Sequence, residues 1–214
     1  MYAFIRDAAY PNAASHGGRP TLVRCTTARH TGVAMTSSLA VRHASVEDIP
    51  EIERVMRESI AGIASRSYDA GQIESSLRFI AHLDRELVSD GTYFVAEEQG
   101  LLAGCGGWSR RRRLYAGSGS DERDASLLDP TTEPARIRAM FVVPGHERRG
   151  IGRRILQACE DEARAAGFRS LELMAMLSGH AMYLASGFHD VEQVAAQLED
   201  GTAFPLIRME KSLV

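Results

Sequence analysis

The stretch that most limits what this chain can become is Val142-Val143-Pro144-Gly145-His146-Glu147-Arg148-Arg149-Gly150-Ile151-Gly152-Arg153-Arg154. The run Ile137 to Val143 before the proline is apolar and partly β-branched, which reads as a buried strand closed by Pro144. After the glycines, Ile151, Ile155, Ala158, Cys159, Ala163 and Ala166 fall on one helical face. Arg153, Gln157, Glu160, Asp161 and Arg164 fall on the other, and Gly167 supplies a stop. A strand running through a glycine loop into an amphipathic helix ends in unpartnered backbone N–H groups at the positive end of a helix dipole, and a phosphate fits there. Gly150 and Gly152 remove Cβ atoms from its path, and Arg148, Arg149, Arg153 and Arg154 can neutralise its charge. Two other phosphate loops do not fit. No Gly-Lys-Ser/Thr is present, and Ile155 stands where the dinucleotide pattern needs a third small residue. A plain strand-to-helix turn with exposed arginines is the alternative reading of these residues alone.

The elements around this loop can be placed by period. Leu39 to His43 alternates like a strand, and Ser45 and Asp48 then start a helix with Ile49, Ile52, Val55, Met56 and Ile60 on one face. Ile73, Leu77, Ile80, Leu83 and Leu87 predict one further helix over residues 72–87. Runs 92–97 and 101–108 flank Gln99-Gly100 as a hairpin. Beyond the glycine-loop helix come a strand over 170–176, a short helix near 182–185, and strands over 191–197 and 204–211. Residues 110–134 form a long polar connection.

Residues 1–35 show no sustained period and read as a loose N-terminal extension. Met35 just before the first patterned segment makes a start assigned too early the expected explanation, and residues 36–214 are expected to form the domain. Cys25, Cys105 and Cys159 have no metal-ligand spacing, so no metal is expected, and they suit a reducing, cytoplasmic setting. No run reaches the length of a membrane span. A net charge of -3 excludes the overall basic bias of a general nucleic-acid binder, and Arg110 to Arg113 read as a solvated, salt-bridged face.

The segment Ile137 to Leu156 resembles the acetyl-CoA-binding segment of the GNAT superfamily of N-acyltransferases, with its Q/R-x-x-G-x-G/A pattern; Glu147 stands where that family usually has Gln or Arg. Met182-Tyr183-Leu184-Ala185-Ser186-Gly187-Phe188 is similar to the family's Leu-Tyr-x-x-x-Gly-Phe segment. The run Arg136 to Pro144, preceded by Leu127 to Pro130, looks like a bacterial subgroup of uncharacterised GNAT proteins. The likeness covers roughly residues 38–212. It implies an α/β (α+β) fold with a mixed, mostly antiparallel central sheet flanked by helices.

The resemblance also implies the chemistry: an acetyl-CoA-dependent N-acetyltransferase passing its acetyl group to a primary amine by direct attack in a ternary complex. Acetyl-CoA would contact Met140, Phe141, Val142, Val143, Arg148, Arg149, Gly150, Ile151, Gly152 and Arg153, and a backbone N–H near Met140 or Phe141 would polarise the thioester carbonyl. Tyr183 would protonate the departing thiolate, with Glu133 and Glu172, then His180, as candidate general bases by location. The acceptor would be a small-molecule or peptide amine, and a homodimer is compatible with the family. The rival from another class is a catalytically silent acetyl-CoA sensor or interaction module.

Overall fold

The computed structural model describes residues 39–112 and 126–214, all within the compact unit Thr36–Val214. Seven strands form one sheet: β1 (Ala40–His43), β2 (Tyr93–Glu98), β3 (Leu101–Ser109), β4 (Ala135–Val142), β5 (Ser170–Met176), β6 (His189–Gln197) and β7 (Ala203–Ser212). Their order is β1-β2-β3-β4-β5-β7-β6, and every pairing is antiparallel except β4 with β5. Five α-helices accompany them: α1 (Ile49–Gly62), α2 (Ala70–Phe79), α3 (Arg85–Ser89), α4 (Ile151–Ala165) and α5 (His180–Leu184). The mixed, mostly antiparallel sheet expected from the sequence is present.

Strand pleating sorts the core into two layers. Phe94 and Ala96 join Ile151, Ile155, Cys159 and Ala163 of α4 on one face, while Tyr93 and Val95 join Ile52, Met56 and Ile60 of α1 on the other. Gln99 (φ 55°) and Gly100 (φ 79°) both turn through the left-handed region between β2 and β3, the geometry that the hairpin needs.

Two local expectations change. The helix predicted over 72–87 is two helices, because α2 ends at Phe79 and Asp84 caps a new start, its side chain accepting from the Glu86 N–H at 3.0 Å. Leu83 within the break and Leu87 in α3 are both buried, so the apolar spacing continues through a change of helix. Along α4, Ala166 is exposed and Glu160 is buried, the reverse of their expected faces. The reason for Glu160 is Lys211, the chain's only lysine, whose Nζ lies 2.7 and 2.8 Å from its two carboxylate oxygens.

Strand β4 carries a bulge. Cys105 pairs with Phe141 but Gly107 pairs with Arg138, so β4 has one residue more than β3 across this step. Ala139 absorbs it with φ 51°. Ile137 packs on the α4 face and Phe141 on the α1 face, although an unbroken pleat would put residues four apart on the same side. The bulge exchanges the faces of everything downstream.

Candidate active site

Strands β4 and β5 are paired only from Ala135–Leu171 to Ile137–Leu173. Beyond that point they part, while β5 stays paired with β7 as far as Met176–Leu206. A fork opens in the middle of the sheet, at the bulge, and a cavity occupies it, lined among others by Arg138, Met140, Phe141, Met174, Met176 and Tyr183. Backbone N–H groups of an extended strand alternate between its two edges. The Val143 N–H is taken by the Ala103 carbonyl at 3.0 Å, so alternation turns the N–H groups of Met140 and Val142 toward the open edge. Of the strand residues expected to meet a pantetheine arm, Val143 is therefore committed to β3.

The left-handed residue Gly150 (φ 82°) starts α4, and no side chain caps the helix. Gly145 (φ 84°) and Arg148 (φ 61°) shape the loop before it. A Cβ on Gly152 would come within 2.7 Å of the Met182 sulfur on α5, so this glycine lets the glycine loop and α5 approach each other. The four arginines divide into two pairs. Arg149 donates to Glu98 at 2.5 Å and Arg154 donates to the Leu39 carbonyl at 2.9 Å. Arg148 and Arg153 are exposed and have no hydrogen bond or ion pair among the described residues. An uncapped helix start flanked by two uncommitted guanidiniums suits a pyrophosphate.

Glu147 folds back into its own loop: its carboxylate accepts from the Gly145 N–H at 2.5 Å and lies 3.2 Å from Arg66. Its own backbone N–H, more than any other contact, holds the carboxyl below the usual range.

Tyr183 is buried on α5 with its ring edge-on to Phe188 at 5.7 Å. Its ring wall faces the fork, and burial pushes the phenol well above its ordinary pKa, with Cys159 adding to the effect. It is a phenol kept protonated.

Residues 57–188 match the Acetyltransferase (GNAT) family. The chain belongs to that family. Among curated proteins, this GNAT chain is 32% identical to the "IAA acetyltransferase" of Azospirillum brasilense over 104 residues, 47% of the chain and 56% of that relative's length. Solved GNAT structures share its fold at low identity. A GCN5-related N-acetyltransferase from Rhodopseudomonas palustris superposes with a TM-score of 0.63 at 20% identity, covering 83% of this chain and 98% of that one. The PaiA N-acetyltransferase of Thermoplasma acidophilum, solved with coenzyme A, gives 0.57 at 18% identity, covering 82% and 99%. YncA of Salmonella typhimurium, solved with its cofactor acetyl-CoA, gives 0.53 at 21% identity, covering 83% and 95%.

The carboxylates expected as bases lie outside the fork of this GNAT fold. Glu172 is buried on β5 between the guanidiniums of Arg136 and Arg208, the latter 3.0 Å away. Burial lowers the pKa of Arg136, and the adjoining Glu172 carboxylate offsets part of that cost of keeping a charged guanidinium out of water. Glu133 accepts from the Asp129 N–H at 2.8 Å and pairs with Arg112, and that backbone hydrogen bond leads in holding its carboxyl below the usual range. His180 lies 2.7 Å from Asp190. None of the three lines the cavity. The titratable side chains that do, besides Tyr183, include His82 and Asp84, from the break between α2 and α3. Asp84 pairs with Arg138 at 2.9 Å. His82 is exposed at the rim, with Nε2 3.1 Å from the Arg78 carbonyl. A carbonyl only accepts, so in the neutral ring Nε2 carries the hydrogen and Nδ1 keeps a lone pair.

In the arginine run Arg111 lies 2.7 Å from Asp90 and Arg112 pairs with Glu133, while Arg110 reaches only the Asp90 carbonyl at 3.5 Å; Arg113 lies outside the described residues. Trp108 is core, donating from Nε1 to Glu162 at 2.9 Å. Cys105 and Cys159 are free and buried; burial pushes the Cys105 thiol up to about 12, which suppresses the thiolate that nucleophilic chemistry needs. Cys25 lies outside the described residues, among which no cluster could hold a metal and no helix is long and apolar enough to cross a membrane.

Proposed function

We propose that this protein, through its 36–214 unit, transfers an acetyl group from acetyl-CoA to a primary amine in one direct step. The observation that carries the reading is the fork: β4 and β5 part at a bulge that leaves one edge of β4 open, and a buried, protonated tyrosine faces the same space. Arg148, Arg153 and the first turn of α4 would hold the pyrophosphate, and Val142 would offer its N–H to a pantetheine amide. The thioester carbonyl would then lie against the bulge, where the Met140 N–H stabilises the developing oxyanion.

A neutral amine attacks the thioester carbon, a C–N bond forms and the C–S bond breaks. Tyr183 gives its proton to the departing sulfur, and solvent restores it. The proton that the amine sheds leaves through His82 Nδ1 at the rim of the cavity, a role that its position supports better than the ion-paired Glu133 and Glu172. The names of the relatives support the donor: acetyltransferase for the Azospirillum brasilense protein and coenzyme A or acetyl-CoA for two solved structures.

Tyr183→Phe tests the reading, with CoA release and acetyl-CoA binding measured on the same preparation. Turnover should fall by about 10²–10⁴-fold, the usual worth of a general acid, while acetyl-CoA affinity stays near wild type. Equal turnover in the two proteins would remove Tyr183 from the mechanism. Tight acetyl-CoA binding with no turnover by either would favour a sensor.

A further inference from the structure

The cavity continues past the fork toward α1 and β7, and the chemistry of that end selects an acceptor. Its walls include Ile60 of α1, Ile80 after α2, Met174 and Met176 of β5, and Phe204 and Leu206 of β7. Ile60 and Phe204 are fully buried and Leu206 nearly so. The one carboxylate among the described lining residues is Asp84, whose two oxygens serve Arg138 and the Glu86 N–H.

Tyr68 packs behind Phe204 at this end. Its hydroxyl donates to the Pro205 carbonyl at 2.7 Å and accepts from the Leu177 N–H at 2.9 Å, tying the segment after α1 to the ends of β5 and β7. Its ring stacks on Phe204 with centroids 4.3 Å apart.

We infer that the acceptor is a small monoamine with a compact apolar body, aromatic or branched alkyl, and no second charge. This deepens the acetyl-transfer reading and rests on it. A polyamine would bring a second ammonium into a space with no uncommitted carboxylate, and a buried charge without a partner is strongly disfavoured. The methionine thioethers are flexible, polarizable walls that adapt to apolar bodies and contact aromatic rings favourably.

The test uses the full chain. Calorimetry with acetyl-CoA first checks the donor site; CoA release is then followed with 2-phenylethylamine, spermidine and a lysine-containing peptide. The expected result is a kcat/KM for 2-phenylethylamine at least tenfold above the other two, roughly the discrimination of a pocket contact. Ile80→Glu should lower that value and raise the one for 1,5-diaminopentane, and Ile80→Leu should leave the order unchanged. Preference for spermidine or the peptide, or acetyl-CoA binding with no acetylation of 2-phenylethylamine, overturns the acceptor class and leaves the donor reading standing. Failure to bind acetyl-CoA overturns the donor reading beneath it.

Discussion

The Tyr93 hydroxyl donates to the Ala139 carbonyl at 2.7 Å, across the α1 layer and directly onto the bulge where β4 leaves β5. Tyr93 is fully buried, and burial first among its causes raises its pKa well above the ordinary value, so it remains a donor. A left-handed alanine is an unfavourable conformation, and this hydrogen bond helps to hold it. Tyr93→Phe leaves the carbonyl with one partner fewer and should cost about 1–3 kcal/mol in chemical denaturation. Turnover should fall further than acetyl-CoA affinity, because the bulge carries the Met140 N–H proposed to meet the reacting carbonyl.

A glycine of β3 supports the same feature from the other side. A Cβ on Gly106 would lie 2.1 Å from the Met140 sulfur, so Gly106→Ala must push that side chain out of place. The expected cost is about 1–3 kcal/mol of stability, the range for overpacking, measured by denaturant titration, with a loss of turnover beside it.

Glu147 makes a prediction of opposite sign. Its carboxyl, held below the usual range, is charged at neutral pH and stands in the loop proposed to meet a pyrophosphate. Glu147→Gln should tighten acetyl-CoA binding by about fivefold at low salt, about 1 kcal/mol for one screened like charge, and the gain should shrink as salt is added. Titration calorimetry at two ionic strengths decides it.

Tyr68 sets an alkaline limit on stability. Burial, partly offset by the Leu177 N–H, pushes its phenol up to about 12 from an ordinary 10.0. The unfolded chain therefore loses this proton first, so the stability that Tyr68 contributes is intact below about pH 10 and lost as pH rises toward about 12. Tyr68→Phe should be less stable at neutral pH and flatter in this window when melting is followed against pH.

Much of the candidate site could be read in the sequence because its determinants are local. Gly150, Gly152 and the period of α4 lie within one short segment, and Tyr183 lies in another. The bulge could not be read: Ile137 to Val143 is apolar throughout, so a residue can be inserted without breaking any visible alternation. Glu133 and Glu172 have suitable chemistry for a base, but Arg112, Arg136 and Arg208 reach them through sheet pairing and loop packing, which spacing along the chain does not reveal. His82 and Asp84 fall within an apolar period that hides the break between α2 and α3. Asp84 followed by Glu86 and Leu87 is a readable cap, and weighing it above the period would have located the rim of the cavity.

The central claim is that acetyl-CoA lies with its pyrophosphate on the start of α4, and a calorimetric titration tests it most directly. Acetyl-CoA is titrated into the wild-type chain and into a Gly150→Val, Gly152→Val variant whose folding is checked by circular dichroism. Micromolar binding to the wild type, lost in the folded variant, is the predicted result. A folded wild-type protein that takes up no acetyl-CoA, or a variant that binds it equally well, would contradict the account.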